Sequence, residues 1–389
     1  MPSGRVVPLE GPAYQATLVG AQSNGLLTFD RDNRHERLAA AELVAWGAPV
    51  EALRGPQWLL ADGSLLVADV TESDNDRARL LTAFGEIELP LERVAGVLWH
   101  PPADRLRRDK LAARLQTPAQ NSELAAEGLA APAGRGNADL VILENGDELS
   151  GTVGAITAEH VAFEGPVGPL QIETTRITAL AFNPGLIAPP AATMRILVGC
   201  RDGSLLAATQ VSPAAGGFSE LRIILSGDLE LSVPLEAVVY LQTLGGRAEY
   251  LSDLPAQSYR HLPFLDLHWP YRLDANVLGG RLRSGGRPYL KGIGMHTAAR
   301  LTYQLGKPYR RFEAELAIDD GTEGKGSVVF KVYVDENLRY ESPIVRGGEP
   351  PLPISVNVTG GKRLSLIIDF ADRADELDHA NWLNPRLVP

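Results

Sequence analysis

Apolar and polar residues alternate with a period of two along most of this chain, which is the signature of half-buried β-strands. The pattern is sharpest in the last third. Ser327 to Val334 reads as a long strand ending in the polar turn Asp335-Glu336-Asn337, and Leu338 to Ser342 returns from it. Ile354, Val356 and Val358 alternate with polar residues, Thr359-Gly360-Gly361-Lys362 turns the chain, and Leu364, Leu366, Ile368 and Phe370 answer. Two hairpins with apolar inner faces must pack on a second sheet, which predicts a sandwich or jelly roll.

The first two thirds repeat themselves. Three segments open with the same strand-and-turn skeleton, at Trp58 to Gly63, Val141 to Gly146 and Ile196 to Gly203. A second glycine follows each turn glycine after 22, 22 and 24 residues, at Gly85, Gly168 and Gly227. An apolar strand closes each copy 12 residues later, around Val97, Leu180 and Val239. A shorter copy starts the chain, because Val19 to Phe29 matches Val153 to Phe163 at a constant offset of 134. Asp-Gly and Asn-Gly turns supply the positive φ that tight hairpins need. Units of this kind curl into small barrels, and the copy from Leu140 to Phe182 resembles Sm-like and SH3-like folds.

Between the second and third copies, Ala103 to Leu115 carries leucines at helical spacing and mixed charge, and predicts an exposed amphipathic helix. An Ala/Gly/Pro-rich stretch from Thr117 to Asn137 reads as a linker. The predicted organisation is a partial β-repeat over 1–50, repeats over 51–102, 138–190 and 191–255, a helix and linker over 103–137, and a sandwich over 256–389.

Composition narrows the partners. A net charge of −11 repels phosphate backbones, so nucleic acid is not expected to bind. The single cysteine, Cys200, excludes an intrachain disulfide and a cysteine metal cluster, and reads as a buried strand residue. No segment approaches 18 consecutive apolar residues, so membrane insertion is not expected, and the first residues show no apolar signal region.

Specific residues then identify a family. Tyr289 to His296 (with Lys291-Gly292-Ile293-Gly294-Met295-His296), Ser327 to Asp335, Leu364 to Phe370 and Asp378-His379-Ala380-Asn381-Trp382 ahead of Arg386-Leu387 occur in order across Pro263 to Val388. This series resembles the NPCBM family of carbohydrate-binding modules, commonly attached to glycoside hydrolases. The resemblance implies a discoidin-like β-sandwich, often with a structural calcium ion, and galactose-type sugar binding. It also implies a periplasmic or extracellular location. Two departures stand out: Asp335-Glu336-Asn337 replaces the usual Asp-Gly turn, and Trp382-Leu383-Asn384-Pro385 replaces the usual Trp-Ala-Asp/Asn-Ala.

The candidate sugar-binding residues are His296, Arg346, Asp378, His379, Asn381 and Trp382. His296 either donates to a sugar hydroxyl or bonds the backbone, and Trp382 either stacks on a sugar or anchors the closing strand. Trp269 and Tyr271 are further aromatic candidates, or a staple between the repeats and the sandwich. Asp274, Asp319 and Asp320 are the candidate calcium ligands, since calcium gathers six to eight oxygens from scattered loops. No nucleophile elbow or metalloprotease helix is present, so the expectation is not an enzyme. The expected protein is all-β, an array of small SH3/Sm-like repeats followed by a discoidin-like sandwich, and binds carbohydrate. The repeats serve as scaffold or as a surface for a protein partner. The alternative is an adaptor whose sandwich has lost sugar binding.

Overall fold

The computed structural model describes residues 2–116, 138–187, 194–214, 217–263 and 267–389, so the predicted linker from Thr117 to Asn137 lies outside the described residues. The described chain is built almost wholly of antiparallel strands and divides into two units, one holding the N-terminal strands to Thr243, the other holding Leu244–Pro389.

In the first unit one sequence of elements recurs four times: four strands, a short 3-10 turn, and a fifth strand. The fifth strands are Leu43–Gly47, Val94–Leu98, Ile177–Ala181 and Val238–Leu244. The first copy has all five strands, although the sequence predicts a partial one. Its opening strand, Ser3–Pro8, is followed by Gly11 and Pro12 instead of the Asp-Gly turn of the later copies, which hides it. The fourth copy ends at Leu244, short of the predicted 255, because Glu249–Tyr250 already pairs with the closing strand of the sandwich.

The copies associate through their fifth strands. Val94–Leu98 pairs with Ile177–Ala181, joining copies two and three, and Leu43–Gly47 pairs with Val238–Leu244, joining one and four. Copies two and four meet at their turns. Ser204 Oγ accepts from Val67 N at 3.0 Å, and Ser64 Oγ accepts from Ala207 N at 2.9 Å. Each serine is held by the aspartate two residues before it, Asp62 and Asp202. One apolar core runs through all four copies, from Val6 to Leu241.

The predicted helix forms at Arg105–Gln116, but it is not simply an exposed one. Ala112 and Leu115 are buried with Leu98 in an apolar cluster, and a Cβ on Gly96 would come within 3.1 Å of Leu115 Cβ. Arg108 is also buried, reaching Glu51 at 3.4 Å.

The second unit is the sandwich. One sheet orders its strands as Arg272–Leu273, Gly292–Met295, Ala380–Val388, Arg311–Ile318 and Leu352–Asn357. The other orders Ser258–His261, Ala299–Gln304, Arg363–Phe370, Ser327–Val334 and Asn337–Glu341. Inward residues of both sheets form a single core that includes Ile293, Phe312, Phe330, Leu366 and Trp382. The departure at Leu383-Asn384-Pro385 is absorbed locally: the register slips opposite Glu313–Glu315, and Asn384 takes φ 47°, which asparagine tolerates better than most residues.

Candidate functional site

The Gly-Ile-Gly-Met strand is fully buried, and its glycines have an internal reason. A Cβ on Gly294 would lie 2.5 Å from Ala275 O, and one on Gly292 would lie 2.4 Å from Leu282 Cδ1. The loop around Asn276 rests directly on this strand. The backbone that approaches the glycines is the protein's own. Asn276 holds that loop, accepting from Leu278 N and Gly280 N while donating to Asp319 Oδ1 at 3.1 Å.

Beyond Met295 the chain leaves the sheet through His296, Thr297 and Ala298, the last at φ 56°. On the neighbouring loops Glu323, Arg373, Ala374 and Leu377 also take positive φ. Strained non-glycine residues concentrate where surrounding structure over-determines the backbone, often at functional sites. Here they mark one end of the sandwich. Gly326 packs there against Leu377 O, and Gly347 against Lys325 O, locking the loops to one another.

An aromatic cluster sits at this end. The Trp269 indole stacks on the His296 imidazole, with centroids 4.8 Å apart and planes within 4°. His379 lies 5.8 Å from both rings, and His261 lies 6.2 Å from His296. His268 contacts His261 edge-on at 5.8 Å. His296 and His379 are buried, His268 is exposed, and Trp269 keeps part of its surface in solvent. The Trp269 loop is pinned by Tyr259 Oη, which donates to Trp269 O at 2.6 Å.

Burial, with the neighbouring rings His379 and His261, pulls the His296 pKa down to about 4. Burial lowers His379 as well, and burial with His268 lowers His261. Burial thus biases His296, His379 and His261 toward their neutral forms. Asp378 is displaced the other way. Burial raises its pKa to about 7, with Asp375 and Glu376 adding to the rise and the Ser327 N–H opposing it. One Asp378 oxygen accepts from Ser327 N at 2.8 Å, while the other is buried without a well-formed hydrogen bond.

Ser327 ties this end together. Its position pairs with Arg346 across the sheet, its N–H holds Asp378, and its hydroxyl bonds the Asp372 backbone. Arg346 is exposed and bonds Asp372 Oδ2 at 2.7 Å.

Of the expected sugar-binding residues, the structure brings His296, Arg346, Asp378 and His379 to this end. It places two elsewhere. Trp382 has no exposed surface and meets Phe330 edge-on at 4.9 Å, because the closing strand turns it into the core. It offers no face to a sugar. Asn381 is equally buried and donates to Asp319 Oδ2 at 2.7 Å. Sequence reading left His261 and His268 unmarked. Their only signal is the crowding of histidine around Trp269, in residues too far apart to read as one motif.

Each candidate calcium ligand accepts hydrogen bonds from the protein itself. Asp319 accepts from Asn276 and Gly321 N on one oxygen, and from Asn381 and Arg283 N on the other. Both Asp320 oxygens accept from Gly285 N and Gly286 N. Asp274 is held by Lys291 Nζ at 2.5 Å and by Gly292 N at 3.0 Å. Two donors fill each Asp319 oxygen, whereas each Asp320 and Asp274 oxygen takes one. Among the described residues no three acidic or histidine side chains group closely enough to hold a metal.

Comparison with known proteins then places this unit. Residues 247–388 match the model of the NPCBM/NEW2 domain, a family of carbohydrate-binding modules. Over 110 residues the chain is 33% identical to a Renibacterium salmoninarum protein named "Putative endo-alpha-N-acetylgalactosaminidase", covering 28% of this chain and 7% of that one. Over 117 residues it is 32% identical to Alpha-1,3-galactosidase B of Akkermansia muciniphila, covering 29% and 15%. The chain thus spans only a small part of both curated relatives. Among solved structures it resembles the CBM51 of a Clostridium perfringens GH95 protein in complex with methyl-galactose, at 24% identity and a TM-score of 0.33, covering 36% of this chain and 99% of that one.

Proposed function

We propose that this protein, through its NPCBM/NEW2 domain at residues 247–388, binds a galactose-type sugar reversibly and catalyses no reaction itself. The observation that carries the reading is the partly exposed Trp269 indole, backed face-to-face by His296 at the strained end of the sandwich. A galactose-type ring has an apolar C–H face suited to an aromatic platform, and hydroxyls that need hydrogen-bond partners around it. Neutral imidazoles donate through one nitrogen and accept through the other. Exposed His268, Arg346 and Asp372 supply polar groups at the rim. The names of both curated relatives refer to galactose-type substrates, which supports the same sugar class here.

In this reading Asp378 and His379 position the rim from behind. The repeats carry the domain and offer a surface to a protein partner. A groove of about 960 Å³ between the second and third copies, walled by Arg77, Leu91, Phe163, Leu170 and Phe182, is the feature that favours such a partner. A periplasmic or extracellular location fits a glycan ligand. Calorimetric titration of the full chain with methyl galactoside tests the proposal: saturable binding supports it, and no binding to any galactoside contradicts it.

A further inference from the structure

On the outer face of the sandwich, Arg260 and Arg300 stand at directly opposed positions of adjacent antiparallel strands. Like charges so placed destabilise a sheet. Arg300 is partly compensated by Glu336 at 2.8 Å and Ser365 Oγ at 3.1 Å. Arg260 is exposed and has no ion pair among the described residues. Arg260 and Arg300 both line a groove of about 540 Å³ whose other walls include Leu262, Pro263, Ala298 and Phe370, and the Arg300 guanidinium is turned to Glu336 and Ser365, outside that lining. Leu262 and Phe370 are exposed large apolar side chains. Asp369, the carboxylate in this lining, is already held by Lys331 Nζ at 2.9 Å and Phe370 N at 2.9 Å. The groove is thus locally cationic on a chain of net charge −11. Screening over about 8 Å at physiological salt lets Arg260 outweigh distant acids.

The groove's residues adjoin the aromatic end along the chain, and Leu262 N donates to Ala298 O at 2.9 Å. Leu262 follows His261, Ala298 lies two residues past His296, and Phe370 lies two residues before Asp372. We propose that it holds an acidic sugar of the same glycan, its carboxylate on the Arg260 guanidinium and its apolar face on Leu262 and Phe370. The proposal rests on the sugar reading of the Trp269 rim and specifies the glycan: a galactose-type terminus followed by a carboxylated sugar. An arginine fork matches a planar carboxylate, and a charge-assisted bond is stronger than a neutral one.

The test uses the full chain and two disaccharides of equal size, galactosyl-glucose and galactosyl-glucuronate, titrated at low and physiological salt. The acidic ligand is expected to bind about five- to tenfold tighter at low salt, with the ratio shrinking as salt rises. In Arg260→Gln the ratio is expected to fall to about one, while the melting temperature holds or rises as the opposed charges are relieved. Equal affinity for the two ligands in the unaltered protein overturns the groove and leaves the rim standing. A preference that survives Arg260→Gln also overturns it. Binding of neither ligand overturns the rim reading and this proposal together.

Discussion

The Trp269 indole lies parallel to the His296 imidazole at 4.8 Å, so one ring face is spent inside the protein while the indole stays partly in solvent. Trp382 has no such division, being fully enclosed by Phe312 and Phe330. The two tryptophans should therefore separate binding from stability. Trp269→Ala is expected to abolish galactoside binding and cost about 1–2 kcal/mol of stability, since only part of the ring is buried. Trp382→Ala should cost about 3–5 kcal/mol by opening a core cavity. Calorimetry and denaturant unfolding on both variants check the pair.

The buried titratable groups at this end set opposing pH dependences. The His296 pKa falls to about 4, so its neutral form is favoured by folding, and stability is lost as pH falls from the unfolded value of 6.5 toward 4. The Asp378 pKa rises to about 7, so its protonated form is favoured, and stability is lost as pH rises from 3.8 through 7. The two slopes offset each other over their shared range. Asp378→Asn removes one of them. Its melting temperature should climb more steeply than that of the unaltered protein between pH 4 and 6.5, and exceed it at pH 8. Melting curves across pH read this directly, and parallel curves would count against the assignment.

Asp319 is a buried keystone joining the Asn276 loop, the Arg283 backbone and the closing strand through Asn381. Burial raises its pKa despite these donors. Asp319→Ala strands several buried N–H groups, at about 1–3 kcal/mol for each. Because the N–H groups already fill its lone pairs, adding a calcium chelator to the unaltered protein should leave the unfolding midpoint unchanged. A chelator-induced drop would show that a cation is held after all.

Two turn glycines with nearly equal φ test the packing of the repeats. Gly63 has φ 90° and open space where a Cβ would sit, whereas Gly203 has φ 92° and would place a Cβ 2.4 Å from Ala52. Gly63→Ala should cost only the backbone strain, about 1 kcal/mol, while Gly203→Ala adds a steric clash and costs several. Thermal unfolding of the two variants gives the comparison.

Much of this architecture was legible because it is local. The spacing from Gly63 to Gly85 and from Gly146 to Gly168 marks hairpins, and period-two alternation from Ser327 to Val334 marks a strand that is in fact one. What the pattern could not carry is partnership between distant positions. The exchange between Ser64 and Ser204 joins residues far apart in sequence. Trp382 and Trp269 look alike as tryptophans beside histidines, yet strand direction turns one into the core and a loop leaves the other at the surface. The aspartates 274, 319 and 320 have the chemistry of calcium ligands, and the N–H partners that each accepts come from distant positions the pattern does not reveal.

The central claim is that the Trp269 rim receives a galactose-type sugar. Titrating methyl galactoside into the full chain and into Trp269→Ala, at neutral pH by calorimetry, tests it most directly. The account predicts saturable binding to the unaltered protein and none to a folded Trp269→Ala. Absence of binding in both, or undiminished binding in the variant, would contradict it.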